Sequence, residues 1–234
     1  MKPSAAGAKN RRPGVFIAFE GIDGAGKTTQ AQRLIERLEA EELAAKAVKE
    51  PTDGFWGQKI REIARRGRDH VSPEEELDYF VRDRAEDVEQ NIRPALADGF
   101  VVVADRYFYS NIAYQSALGL DPNHIRALNA DFPVPDLMLL LEIPVELSRE
   151  RITQGRNQVA NRGYEQLDFL RRVKAAYEAL TDPNILRVDA TQELDRVWEA
   201  VWQAVADLLR VRRPGSRPKA GLGGAGSGPM EKNH

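Results

Sequence analysis

The residues best equipped for chemistry lie close together early in the chain. Gly21-Ile22-Asp23-Gly24-Ala25-Gly26-Lys27-Thr28 fits G-x-x-x-x-G-K-[ST], and Thr29 follows it. Glycines at these positions let the backbone curl so that successive N–H groups point inward at phosphate oxygens. Lys27 then reaches the β- and γ-phosphates as a point charge, and the Thr28 hydroxyl is a candidate Mg²⁺ ligand. A helix beginning at Lys27 aims its positive end at the same anion. The bland alternative is a Gly-rich turn that carries Lys-Thr by chance. The motif by itself does not separate kinases from other nucleoside triphosphate users.

A second cluster begins at Asp105, followed by Arg106 and Tyr107. An acid at the carboxyl end of a strand can hold hydrated Mg²⁺ or accept a proton, and a neighbouring Arg can clamp a second phosphate. The structural alternative is that Asp105 caps the following helix. A third cluster, Arg149, Arg151, Arg156 and Arg162, is what phosphoryl transfer needs in a lid, though a solvated basic helix would also read this way.

These clusters need elements to position them. Apolar runs at 15–20, 44–50, 100–105, 137–143 and 185–190 are expected strands. Helical spacing follows Lys27 as far as Glu42 and recurs at 55–66. Ser72-Pro73-Glu74-Glu75 opens another helix with a cap, a first-turn proline and acids facing the dipole. That helix is expected to run to about Asp98, with a bend at Pro94 and a stop at Gly99. Further helices are expected between 144 and 182 and over 191–211. Five strands separated by helices predict parallel pairing with right-handed crossovers, and fully apolar strands predict cover on both faces. The fold class is therefore α/β in three layers.

The whole chain fits an ordinary globular enzyme. It has 234 residues, 42% hydrophobic and 30% charged. With 34 Lys+Arg against 36 Asp+Glu the net charge is −2, which gives no support to a nucleic-acid or membrane-surface binder. With no Cys there is no disulfide, thiolate metal site or cysteine nucleophile, which fits a reducing compartment. The aliphatic run Leu137–Leu141 is too short to span a bilayer, and the basic N-terminus lacks the apolar stretch of a secretory signal. Residues 1–13 and 212–234 look like disordered tails around a domain at 14–211.

The segments FIAFEGIDGAGKTTQAQRL, KEP (49–51), FVRDR, DRYFYSNIAYQ (105–115) and PDLMLLLEI (135–143), in this order, resemble the thymidylate kinase family. DRYxxSxxAYQ is the most specific of them. The resemblance implies a P-loop NTPase fold with a five-stranded parallel sheet and an Arg-rich lid at about 149–166. It implies transfer of the ATP γ-phosphoryl group to dTMP, giving dTDP and ADP, with Mg²⁺ held by Thr28 and Asp105. It implies a cytoplasmic homodimer whose partners are small molecules. The implied catalytic set is Lys27, Asp105, Arg106, Arg149, Arg151 and Arg156. The implied dTMP site is Asp23, Pro51, Phe80, Arg84, Arg106, Tyr107, Ser110, Asn111, Tyr114, Gln115 and Tyr164. Within it, Phe80 would stack on thymine, Arg84 would donate to its O4 edge, and Tyr107 and Tyr114 would crowd the 2′ position. Without the family, Phe80 reads as core. The lid departs from the family pattern at Arg162-Gly163-Tyr164-Glu165, and Thr52-Asp53-Gly54 stands where Gly-Gly-Thr is frequent. With Gly24 in the phosphate loop, the catalytic arginine has to come from the lid. Alternatives are another nucleotide or deoxynucleoside kinase of this fold, or a non-catalytic nucleotide-binding module.

Overall fold

A computed structural model describes residues 14–155 and 167–213. Five parallel strands form one sheet: β1 (Val15–Glu20), β2 (Ala45–Lys49), β3 (Val101–Asp105), β4 (Leu137–Glu142) and β5 (Ile185–Asp189), in the order β2-β3-β1-β4-β5. All five expected strands are present, each within a residue or two of its expected ends. The central strand β1 is buried along its whole length, and so is β3. Strands wrapped on both faces need no polar alternation, which is why they read as unbroken apolar runs.

The chain leaves β1 through α1 (Lys27–Ala40) to reach β2, and leaves β4 toward β5 on the opposite side. Exits in opposite directions open a crevice at the carboxyl ends of the strands, where ligands gather in such sheets. α1 packs with α9 (Leu194–Arg212), while α5 (Phe108–Ala117) packs with α3 (Pro73–Asp87), α6 (Pro122–Leu128) and α8 (Leu167–Glu178). α2 (Phe55–Arg66) lies against α3 and closes one side of the crevice. The one remaining long helix of the described residues, α7 (Val145–Gly155), follows β4.

Ser72 caps α3 by accepting from the Glu75 N–H at 3.1 Å, with Pro73 in the first turn. The expected single helix to Asp98 is divided. α3 ends at Asp87, a π-turn spans Val88–Ile92, and α4 covers Arg93–Ala97 with Pro94 in its first turn. Proline has no N–H to give to the preceding turn, and the wider turn before it takes up the mismatch. Gly99, at φ 81, ends the segment as expected. α6 went unrecognised in the sequence because it is only seven residues long. At the other end α9 continues to Arg212, and Arg213 is buried against it, donating to the Gly99 carbonyl at 2.7 Å.

Candidate active site

The crevice is a cleft of about 610 Å³ above the sheet. At its floor the phosphate loop joins β1 to α1. Gly24 is in the left-handed region at φ 77, and a Cβ there would stand 2.9 Å from the Ser148 carbonyl of α7. Ser148 is fully buried and donates its hydroxyl to the Asp23 carbonyl at 2.6 Å. Loop and helix are thus packed backbone to backbone, which only glycine permits.

Lys27 lines the cleft and donates Nζ to the carbonyls of Gly21 and Ile22, both at 2.9 Å. Burial, helped by the nearby Arg106 cation, pulls its ammonium down to about 7. Asp105 does not cap the next helix. Its Oδ2 accepts from the Thr28 hydroxyl at 2.5 Å and lies 3.1 Å from Lys49 Nζ. Burial opposes its ionisation, but the Thr28 hydroxyl and the cations of Arg106, Lys49 and Lys27 outweigh it and hold the carboxyl below its ordinary range. An ionised carboxylate touching a hydroxyl is a donor set of hard oxygens that suits Mg²⁺, which keeps several waters and needs few protein ligands.

Arg106 has φ 75, a left-handed conformation that is uncommon for a residue with a side chain. Strain of this kind is kept where the surroundings over-determine it. The backbone N–H is tied to the Phe19 carbonyl at 3.0 Å. The guanidinium pairs with Asp23, lies 3.1 Å from Ser110 Oγ, and stands over the Tyr114 ring with its carbon 5.2 Å from the centroid.

One wall beyond Arg106 is α5. Asn111 and Gln115, one turn apart, are almost fully buried and line the cleft. Asn111 Nδ2 donates to Gln115 Oε1 at 3.1 Å. That leaves Asn111 Oδ1 and Gln115 Nε2 without a partner among the described residues. The mutual bond makes this one free acceptor and one free donor. Flipping both amides exchanges the order but keeps the pair. Phe80, half-buried, faces the same cleft from α3 and is not part of the core.

The expected residues that line the cleft are Asp23, Gly24, Gly26, Lys27, Thr28, Thr29, Pro51, Phe80, Asp105, Arg106, Ser110, Asn111, Tyr114, Gln115 and Arg151. Gly21, Ile22 and Ala25 shape the loop from beneath, Ile22 and Ala25 being buried. Tyr107 is a correction. Its ring is fully buried, edge-on to Phe16 at 4.9 Å and beneath the Arg84 guanidinium, so it packs the core and does not crowd a sugar. Arg84 also departs from expectation. It is fully buried behind the cleft wall, its guanidinium held by both Glu50 carboxylate oxygens and by Asn129. A buried carboxylate at the end of β2 draws the arginine inward. Arg149 is exposed and does not line the cleft, whereas Arg151 donates to the carbonyls of Gly24 at 3.3 Å and Ala190 at 3.2 Å. Arg156, Arg162 and Tyr164 lie outside the described residues.

Sequence reasoning missed several groups. Arg61 and Arg68 of the α2 side face the cleft, Arg68 gripped by Glu76 through two bonds of 3.0 Å. Asp83 holds the backbone and hydroxyl of Thr52 at 2.7 and 2.6 Å, just after the cis Glu50–Pro51 bond. Glu20 is fully buried at the end of β1. An acid closing a wholly apolar strand was the available signal for Glu20. Nothing in the local pattern singled out Arg61 and Arg68.

The thymidylate kinase family model matches residues 19–201. A thymidylate kinase of Desulfotalea psychrophila is 42% identical over 202 residues, covering 86% of this chain and 99% of the relative. A probable thymidylate kinase of Archaeoglobus fulgidus is 42% identical over 200 residues, covering 85% and 98%. A thymidylate kinase of Xanthomonas oryzae pv. oryzae is 42% identical over 212 residues, covering 91% and 92%. With its phosphate loop, Asp105–Arg106 pair and amide-lined wall in one cleft, this chain belongs to the thymidylate kinase family.

Proposed function

We propose that the protein is an ATP-dependent dTMP kinase, converting ATP and dTMP into ADP and dTDP. The observation that carries this reading is the unpartnered pair Asn111 Oδ1 and Gln115 Nε2 in a cleft that also holds a phosphate loop. Buried polar atoms without partners are rare and point to a missing one. Thymine offers an N–H donor beside a carbonyl acceptor, which fits one free acceptor and one free donor. Phe80 supplies an aromatic face for the base. Arg106 holds the acceptor phosphate and Asp23 stands at the sugar. Arg84 reaches the base only if it leaves Glu50 or acts through the wall it supports.

The donor triphosphate lies along the loop N–H groups. Lys27, whose ammonium rests on backbone carbonyls of its own loop, turns to its phosphate oxygens. Thr28 and Asp105 would hold Mg²⁺, which when bound supplies charge neutralisation at the donor phosphates. An oxygen of the acceptor phosphate forms a bond to the γ-phosphorus as the bond to the bridging β-oxygen breaks, and ADP leaves. No covalent enzyme intermediate is involved. Lys27 and Arg151 stabilise charge on the transferred group, and Arg106 keeps the nucleophilic phosphate in line. Arg156, and other lid arginines, contribute on closure.

The protein acts in the cytoplasm as a homodimer on small-molecule substrates. Among the described residues no helix is long and apolar enough to cross a membrane. The test is acceptor-dependent ADP release with dTMP, dUMP, dCMP, UMP, AMP and thymidine. The reading expects dTMP to be the best acceptor and thymidine to be inert. Equal use of thymidine, or no acceptor-dependent release, overturns it. Light scattering on the purified protein tests the dimer.

A further inference from the structure

Glu20 has no place in the chemistry described so far, yet it is built into the site with care. It ends β1, immediately before the phosphate loop, and is fully buried. Its Oε1 accepts from the backbone N–H groups of Tyr107 at 2.8 Å and Ser110 at 3.2 Å. Its Oε2 accepts from the Ser110 hydroxyl at 2.6 Å and the Tyr177 hydroxyl at 2.8 Å. Four donors, from Tyr107 at the start of α5, from Ser110 of α5 and from Tyr177 of α8, thus converge on one carboxylate. Burying a charge is costly, and a leucine would serve a strand of this core at no such cost. The arrangement therefore needs another reason.

That reason lies one bond further on. Because the Ser110 hydroxyl gives its proton to Glu20, its lone pairs are left for the Arg106 guanidinium, whose Nη1 is 3.1 Å away. Arg106 carries strained backbone and must be held from the side-chain end as well. The carboxylate also sets a negative charge behind the guanidinium. A glutamine would still accept from the two N–H groups, but its NH₂ would turn the Ser110 and Tyr177 hydroxyls into acceptors. Ser110 Oγ would then share its lone pairs between that NH₂ and Arg106, and the negative charge would be lost.

We infer that Glu20 is a positioning residue that fixes the Arg106 guanidinium through Ser110 and so sets the grip on the acceptor phosphate. Tyr177 completes the carboxylate's shell and ties the relay to α8. The inference rests on the reading that Arg106 holds the acceptor phosphate.

The experiment is a double-mutant cycle of Glu20→Gln and Arg106→Ala, read as KM for dTMP and for ATP, with Tm as a fold check. Glu20→Gln is expected to raise KM for dTMP about tenfold, the effect of misplacing one hydrogen bond to a charged group. KM for ATP should stay within about twofold. Arg106→Ala should raise KM for dTMP by more, about a hundredfold. In the Arg106→Ala background Glu20→Gln should add nothing, because the group it positions is gone. If Glu20→Gln adds its full factor there, leaves KM for dTMP unchanged, or raises both KM values alike, the positioning role is wrong. If Arg106→Ala itself leaves KM for dTMP unchanged, the phosphate-clamp reading fails first and takes this inference with it. Should Glu20→Gln not fold, Ser110→Ala cuts the same relay while leaving Glu20 its two backbone donors. The same cycle then decides: non-additivity with Arg106→Ala supports the relay and additivity overturns it.

Discussion

Lys27 in the cleft and Arg84 behind its wall, both buried, have opposite kinds of partner, and this separates what their removal should do. Among the described residues Lys27 donates to carbonyls of its own loop, and burial already works against its charge. Lys27→Ala should therefore fold with a Tm close to the parent while kcat falls about 10²–10³-fold, the usual loss for one transition-state charge contact. Near-normal turnover would remove the phosphate-loop assignment. Arg84 is bound to a carboxylate that cannot follow it out. Arg84→Ala leaves Glu50 buried and unpaired, so stability should drop by about 3–5 kcal/mol. Burial pushes the Glu50 carboxyl from 4.5 up to about 7, against the pull of Arg84. An acid whose folded pKa is raised contributes stability below its unfolded value and loses it as pH rises through the folded one. Without Arg84 the carboxyl rises further. The Tm deficit of Arg84→Ala should thus be larger above about pH 7 than near pH 4.5. Thermal melts across that range check it, and a deficit that does not change with pH would mean Glu50 is not the group left stranded.

At the scale of elements, the loop and α7 act as one unit. Gly24 faces the Ser148 carbonyl across a gap with no room for a Cβ. Gly24→Ala adds left-handed strain to that contact, at a cost of about 1–3 kcal/mol. It should also push α7, and Arg151 with it, off the loop, so kcat should fall alongside Tm. A Tm loss with unchanged kcat would show that Arg151 does not work from α7. The five strands and the capped start of α3 were legible in the sequence because each rests on local physics: apolar runs, Ser72-Pro73, Gly99. The phosphate loop was legible for the same reason, since a contiguous motif fixes its own geometry. Tyr107 and Arg84 were misread because their direction depends on distant partners. Phe16 and Glu50 draw them inward, and no spacing along one helix reports that. Glu20 went unread because its four donors belong to Tyr107, Ser110 and Tyr177, all more than eighty residues away.

Across the whole molecule, a net charge of −2 conceals a cleft lined by Lys27, Lys49, Arg61, Arg68, Arg106 and Arg151. Four acids, Asp23, Glu50, Glu76 and Asp105, line it too, so the lining carries an excess of positive charge, which draws anionic nucleotides in. The frame holding this cleft is closed by the end of α9. Arg212 pairs with Asp136, whose Oδ2 accepts from the Phe16 N–H at 2.8 Å, and Arg213 is buried on the Gly99 carbonyl. Both contacts fasten the far ends of β1 and β3, the strands that carry the phosphate loop and Asp105. Beyond Arg213 the composition changes: residues 214–234 hold six of the 18 Gly, with Leu222 and Met230 almost the only apolar side chains. Such a segment has little to bury. Truncation after Arg213 should therefore leave Tm and turnover unchanged. Truncation after Leu209 removes both fastenings and leaves Asp136 without its cation, a loss of about 2 kcal/mol or a Tm lower by about 4–8 °C. A matching pair of melts on the two truncated proteins decides. If the first truncation already lowers Tm by several degrees, the segment beyond Arg213 docks on the domain. If the second does not, α9 is anchored by its apolar face, and the contacts of Arg212 and Arg213 add no net stability.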